Sequence, residues 1–194
     1  PAPVSVLSAP SALLPPGRRD WDAASVCASL LELSEGLAAA ASSSSEESQK
    51  TAVVLLLSSG RFAGAVFRGD RCVAHRACTR YTVRRGQGGA QSSLDASKGK
   101  AKSMGAQLRR AGEAALRDDV SSTLNSWRRH LDDASAIFLS CPRAMRGPLH
   151  EHGGVGAFFP RGDGRTRRVP LSVGRPSYEA AKAVWLALTR VEER

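Results

Sequence analysis

The sequence predicts an α/β domain, a mixed β-sheet with helices packed on it, and three observations lead there. Short β-type segments separated by Ser-Gly and Gly-Asp turns crowd into residues 51–84. Apolar residues return at helical spacing after Ser103. The overall order of helix, strands, helix, strand, irregular strands and helix is the one that helices packed on a mixed sheet produce. A chain of 194 residues that is 42% hydrophobic and 24% charged can build one domain with a substantial core, and is too short for two full domains and a linker.

Residues 1–19 form a Pro/Ala/Ser-rich N-terminal segment. Residues 20–37 read as an amphipathic helix: Val26, Leu30, Leu33 and Leu37 share a face behind the possible caps Asp20 and Asp22. Residues 38–50 are an acidic Ser/Ala-rich linker, and the stretch from Asp20 to Gln49 holds six acids and no base. The run Ser42 to Ser45 before Glu46 and Glu47 reads as solvated linker ahead of a phosphorylation target. An opening of Pro1-Ala2-Pro3 in place of an initiator methionine is expected of a processed chain or a piece of a longer one.

Residues 51–194 are the main domain. Four β-type segments, Thr51 to Leu57, Arg61 to Phe67, Arg71 to His75 and Cys78 to Arg84, predict an antiparallel meander. The first is apolar throughout and suits an interior strand, whereas Tyr81 and Val83 alternate with Thr82 and Arg84 as on a half-exposed one. Arg85 to Lys102 lacks hydrophobic periodicity and is a long Gly/Ser/Lys loop, and loops of that length inside compact domains tend to be functional or disordered. Ser103 then caps a long helix with Met104, Leu108, Ala111 and Ala115 on one stripe. After a phase shift the stripe continues through Leu116, Val120, Leu124, Trp127 and Leu131, and the pattern allows a break near Ser121 to Ser126. Ala134 to Ser140 is a further strand closed by Cys141-Pro142, and short apolar pieces follow at Gly156 to Phe159 and Val169 to Val173. Arg175-Pro176-Ser177 opens a last helix with Tyr178, Ala181, Trp185, Leu188 and Val191 on one face.

Charge narrows the function. The formal net charge is +10 and the pI about 10.3, which implies a polyanionic partner. Between Arg80 and Arg110 there are eight Lys/Arg against Asp95 alone, so +7 of the +10 lies in this stretch. Within it Gly86, Gly88 and Gly89 permit close approach of the main chain to a sugar-phosphate. Gln91 offers a neutral amide able to donate and accept without titrating. Arg80, Arg84, Arg85, Lys98, Lys100, Lys102, Arg109 and Arg110 are positioned in sequence to hold phosphates.

Other signals are weaker. Cys27, Cys72, Cys78 and Cys141 form no CxxC pair and are expected to be reduced thiols. His150-Glu151-His152 lacks a nearby third ligand, so neither metal nor cofactor is expected. Asp118-Asp119 and Asp132-Asp133 fall at solvated helix positions and argue little for a metal nuclease. The two Arg-Gly-Asp tripeptides, at Arg68 and Arg161, are expected to be turns. No apolar run approaches the roughly 20 residues of a membrane-spanning helix, so no membrane insertion is expected.

The run RFAGAVF at Arg61 to Phe67, followed by RYTVRRGQGGAQSSLDASKGKAKSMGAQLRR at Arg80 to Arg110, resembles the release-factor-like domain of the Vms-type proteins. The animal members of that family are the ankyrin-repeat and zinc-finger peptidyl-tRNA hydrolases. The similarity extends, less tightly, over approximately residues 50–191. It implies the release-factor middle-domain-like, RNase H-like architecture, with residues 51–194 as a catalytic domain carrying a long basic Gly-rich loop. Gly88 and Gln91 match the family's GxxQ, which makes Gln91 the expected catalytic residue and gives Gly88 and Gly89 the loop geometry. Tyr81 joins the eight cations as an expected RNA contact.

The resemblance further implies peptidyl-tRNA and large-subunit rRNA as partners, in ribosome-associated quality control. A cut in the tRNA near its 3′ CCA end is favoured over hydrolysis of the peptidyl ester, and a non-catalytic rRNA- or tRNA-binding module is the alternative. A cytoplasmic, ribosome-associated location follows, with mitochondrial association under stress, and a segregase AAA ATPase is a possible partner only through regions outside this chain. One departure stands out: where family members carry Tyr-Asn-Glu after the Leu-Arg-Arg run, this chain has Ala111-Gly112-Glu113.

Overall fold

In the computed structural model the described residues are 7–8, 24, 28, 50–82, 104–142, 145, 163–189 and 192–193. They form strands β1 (Leu7–Ser8), β2 (Thr51–Ser58), β3 (Arg61–Arg68) and β4 (Arg71–Thr79), then helices α1 (Met104–Ser126) and α2 (Arg128–Asp132). Strands β5 (Ala134–Ser140) and β6 (Thr166–Arg168), helix α3 (Tyr178–Thr189) and strand β7 (Glu192–Glu193) complete the order. Of the helix expected over residues 20–37, Ala24 and Ala28 are described, and both are helical.

The main sheet has five strands in the order β4-β3-β2-β5-β6. Strands β2, β3 and β4 form the expected antiparallel meander, and β5 joins β2 in parallel, as β6 joins β5. Because β2 and β4 both oppose β3, strands β2, β4, β5 and β6 all point the same way. Their carboxyl ends share one end of the sheet, the end at which ligands bind in open α/β sheets. A second, two-stranded pairing joins Leu7–Ser8 to Glu192–Glu193.

The apolar run of β2 is explained by its place. Flanked by β3 and β5 and covered on both faces, it has no side open to water. Val53, Leu55 and Leu57 face a core built with Phe62, Val66, Leu116, Val120, Leu124, Trp127, Leu131 and Ile137, under α1 and α2. Ala52, Val54 and Leu56 face the opposite core with Ala63, Ala65, Phe67, Phe138, Val184, Trp185 and Leu188, under α3. Gly64 makes room for the first of these layers: a Cβ there would lie 2.8 Å from Cζ3 of Trp127.

Three sequence expectations need correction. The two segments expected over Arg71 to His75 and Cys78 to Arg84 are one strand, β4, whose register slips opposite Val66/Phe67. That irregularity switches the side-chain alternation, so Cys72 packs toward α3 while Ala74 and Cys78 pack toward α1. Strand pairing ends at Thr79, so Tyr81 and Thr82 follow the strand rather than belong to it.

The helix does not break over Ser121 to Ser126. Thr123 Oγ1 donates to the Asp119 carbonyl at 2.7 Å and Ser126 Oγ to the Thr123 carbonyl at 2.7 Å, so these hydroxyls bond back into the helix. The interruption comes at Trp127, which separates α1 from α2. Finally, the stripe begun by Met104, Leu108 and Ala111 is not core: Met104 and Leu108 are 72% and 56% exposed, and Ala106 is the residue of the first turns that is buried.

Arg165 ties the far edge of the sheet to α2. Its guanidinium donates to the carbonyls of Leu131 (3.0 Å), Asp132 (3.2 Å) and Ala134 (3.3 Å) while pairing with Asp163 at 2.9 Å. Carbonyls at a helix C-terminus, which have no partner within the helix, are satisfied by this fork. Arg68-Gly69-Asp70 is the β3–β4 turn, with Gly69 at φ 53°.

Candidate nucleic-acid interface

The interface is built from the carboxyl end of β4 and the first turns of α1. These are the two flanks of the segment that carries Gln91, Gly88, Gly89, Arg84, Arg85, Lys98, Lys100 and Lys102, all of which lie outside the described residues. Of the expected RNA contacts the structure describes Arg80, Tyr81, Arg109 and Arg110, and it sets the chain at Tyr81 against the first turns of α1. Gly112 lies against Tyr81 so closely that a Cβ at 112 would strike the Tyr81 carbonyl oxygen and sit 2.9 Å from its carbon. Arg109 and Arg110 stand within one helical turn of that contact.

The backbone of residues 80–82 is also held from the other side. The Arg80 N–H donates to the Gly60 carbonyl at 2.7 Å, and Gly60 occupies the β2–β3 turn with φ 74°. A Cβ on Gly60 would meet the Arg80 carbonyl oxygen and lie 2.7 Å from Thr82 Oγ1. While its main chain is sandwiched in this way, Tyr81 remains 52% exposed, an aromatic ring available for contact with a base or sugar.

Arg80 is engaged by a partner that the sequence did not reveal. Its Nε lies 2.6 Å and its Nη2 3.0 Å from the two carboxylate oxygens of Asp119 on α1, a bidentate pair with the guanidinium half exposed and the carboxylate largely covered. The Arg80 hydrogen bond holds Asp119 below its ordinary pKa against the opposing effect of desolvation, and the same bond holds Arg80 above its own. Asp119 is thus a structural counter-ion and not the solvated charge that its helical position implied. Cys78, beside it, is pushed up by burial and then by the Asp119 charge, so its thiol stays protonated and is unsuited to act as a nucleophile.

A consequence for stability follows from the sign of the Asp119 shift. A carboxylate depressed in the folded state stabilises the fold above its unfolded pKa, and that contribution is lost as pH falls through the lower folded value. Urea midpoints measured from about pH 6 downward are therefore expected to show the native chain's advantage over Asp119→Asn at its full size down to about pH 5 and shrinking as the pH falls below about 4.

Among the described residues there is no group of three or more His, Cys, Asp or Glu side chains that could hold a metal ion. Asp118 is exposed, and Asp132 pairs with Arg128 at 3.1 Å. His150 and His152 lie outside the described residues. Cys72, Cys78 and Cys141 are free thiols, and no described helix is long and apolar enough to cross a membrane.

What the sequence missed here are Gly60, Gly112 and Asp119. A glycine inside a helical pattern costs about 1 kcal/mol relative to alanine, so Gly112 was the one legible signal that something packs unusually close. Nothing in the order of residues pairs position 80 with position 119.

Comparison with known proteins gives this geometry a lineage. The family of the Bacteroidetes VLRF1 release factor matches residues 52–194. The human tRNA endonuclease ANKZF1 is 42% identical over 134 residues, covering 68% of this chain and 18% of that protein. The Caenorhabditis elegans tRNA endonuclease vms-1 is 34% identical over 137 residues, covering 70% and 22%. This chain therefore spans only about a fifth of the length of these relatives. Among solved structures, the Vms1 mitochondrial localization core superposes with a TM-score of 0.60 at 16% identity, over 96% of this chain and 71% of that one, a likeness of fold.

Proposed function

Because this chain belongs to the Bacteroidetes VLRF1 release factor family, we propose that it is a tRNA endonuclease that frees nascent chains from stalled peptidyl-tRNA on the large ribosomal subunit. The observation that carries the proposal is the packing of Tyr81 against Gly112, which sets the end of β4 beside the first turns of α1, where Arg109 and Arg110 lie, at the root of the segment containing Gln91. The names of the human and nematode relatives, both tRNA endonucleases, support the same reading.

In the proposed reaction a ribose 2′-hydroxyl near the CCA end attacks its adjacent phosphorus. The new 2′-O–P bond forms as the P–O5′ bond breaks, leaving a cyclic phosphate on one fragment and, once the departing oxygen takes up a proton, a 5′-hydroxyl on the other. Gln91 aligns the attacking hydroxyl by hydrogen bonding, a task a neutral amide performs at any physiological pH. Lys98, Lys100, Lys102, Arg84 and Arg85 hold the flanking phosphates and offset the charge that develops on the phosphoryl oxygens. Gly88 and Gly89 let the main chain come close to the sugar-phosphate. Tyr81, Arg109 and Arg110 extend the contact along the RNA.

The setting that goes with this chemistry is ribosome-associated quality control in the cytoplasm, with mitochondrial association under stress and large-subunit rRNA as a second partner. Recruitment by a segregase AAA ATPase would use regions other than this chain. One observation favours a second reading, a module that binds rRNA or tRNA without cutting: Ala111-Gly112 replaces the Tyr-Asn that family members carry.

One assay separates the possibilities. The protein is incubated with stalled peptidyl-tRNA on large subunits and both the peptide and the tRNA 3′ end are examined. Released peptide with shortened tRNA is the expected result; intact tRNA with released peptide means ester hydrolysis, and no release leaves binding alone. Binding itself should weaken with salt, and the slope of log K against log salt should become shallower by about one for each phosphate contact removed. Titrations of tRNA into Arg109→Gln and Arg110→Gln variants check this.

A further inference from the structure

We propose that Gly60, Gly112 and Asp119 are positioning residues, a three-point lock on Arg80–Thr82 that fixes the direction in which the chain leaves β4 toward Gln91. The proposal rests on the reading of Gln91 as the catalytic group. The three points act on the same three residues from two elements, the β2–β3 turn and α1. Gly60, in the β2–β3 turn, accepts the Arg80 N–H at 2.7 Å and leaves room for the Arg80 carbonyl and for Thr82 Oγ1, which a Cβ at 60 would approach to 2.7 Å. Gly112, in α1, leaves room for the Tyr81 carbonyl, which a Cβ at 112 would strike. Asp119, two helical turns further along α1, grips the Arg80 guanidinium through both oxygens, at 2.6 and 3.0 Å.

The arrangement has little purpose for the sheet, whose pairing between β3 and β4 has already ended at Arg61 and Thr79. It holds a segment past the strand end, where a chain would otherwise be free to swing. Such a segment can be left loose in a domain that only needs to fold. It cannot be loose where an amide must be delivered to a reacting hydroxyl, because a displacement of about 1 Å in a catalytic group can cost on the order of a hundredfold in rate. The lock also gives Arg80 a role other than direct phosphate binding, since two of its nitrogens are committed to Asp119.

The test uses the whole chain as Gly112→Ala and Asp119→Asn, with Asp119→Glu as the conservative replacement. Single-turnover cleavage of stalled peptidyl-tRNA at saturating protein is expected to fall about tenfold to a hundredfold in the first two. Their tRNA dissociation constants should stay within about threefold, because the RNA-facing cations are untouched, and Asp119→Glu should recover part of the rate. A rate that does not change, or one that falls only in step with affinity, overturns the proposal.

Hydrogen exchange at the Arg80 amide gives a readout independent of catalysis. At a pH where the chain is fully folded, Asp119→Asn should speed that exchange about tenfold or more while amides in the middle of β2 keep their protection. Unchanged protection at Arg80 sinks the lock even if cleavage is lost. If the native chain does not cleave at all, the proposed function fails, and the exchange result still decides whether the lock exists.

Discussion

Gln91→Ala is expected to lower tRNA cleavage by about 10² to 10³-fold, the range seen when one preorganised hydrogen-bonding group is removed from a site that stabilises developing charge. Affinity for tRNA should change little, because attraction to the phosphates comes from the cations and not from a neutral amide. The reading therefore requires the loss to appear in the rate at saturating protein. Gln91→Glu sharpens the experiment: it keeps size and hydrogen-bonding reach while placing a negative charge beside a phosphate, so it should be no more active than the alanine variant. Following the tRNA 3′ end on a denaturing gel, with peptide release measured in parallel, checks both. Full activity in Gln91→Ala would remove Gln91 from the site.

The second large effect concerns the fold. Trp185→Ala should destabilise the domain by about 3–5 kcal/mol, as large aromatic truncations in cores do. Against a total stability on the order of 5–15 kcal/mol, that brings the protein close to unfolding at physiological temperature. Trp185 carries so much because it joins three parts of the α3-side layer. Its ring stacks on Phe67 of β3 with centroids 5.1 Å apart, meets Phe138 of β5 at 6.3 Å, and donates its indole N–H to the Gly69 carbonyl of the β3–β4 turn at 3.2 Å. Trp185→Phe keeps most of the ring contact and loses that hydrogen bond, so its cost should be nearer 1–2 kcal/mol. Urea denaturation with an unchanged slope measures both. Because Trp185 is on the face opposite α1, the phenylalanine variant should cleave at the native rate, which separates this stability effect from the loss expected at Gln91.

Where a structural signal is local, the sequence carried it. The runs of β2 and β3 are apolar or β-branched segments bounded by turn residues, and such a run has few alternatives to a buried strand. The face of the last helix, Tyr178, Ala181, Trp185 and Leu188, was legible because its period and its Ser177 start agree, and Ser177 Oγ does accept the Ala180 N–H at 3.1 Å. The Gln91 motif is likewise contained in consecutive residues, and it lies outside the described residues.

Where a signal depends on what lies opposite, the sequence was silent or misleading. Met104 and Leu108 have the spacing of a buried stripe, but spacing defines a face without supplying a partner for it, and in the fold the helix's large core residues begin about two to three turns later at Leu116. The slip in β4 merged two expected strands because an extra residue in a ladder leaves no mark in composition. The sequence by itself therefore determined the class of the fold, the central strand and the concentration of positive charge between Arg80 and Arg110, since each follows from short-range periodicity and charge. Only the tertiary structure decided that Arg80 answers to Asp119 and that glycines 60 and 112 close on Tyr81 and its neighbours, because those contacts join segments whose separation along the chain closes only when the sheet and α1 have packed.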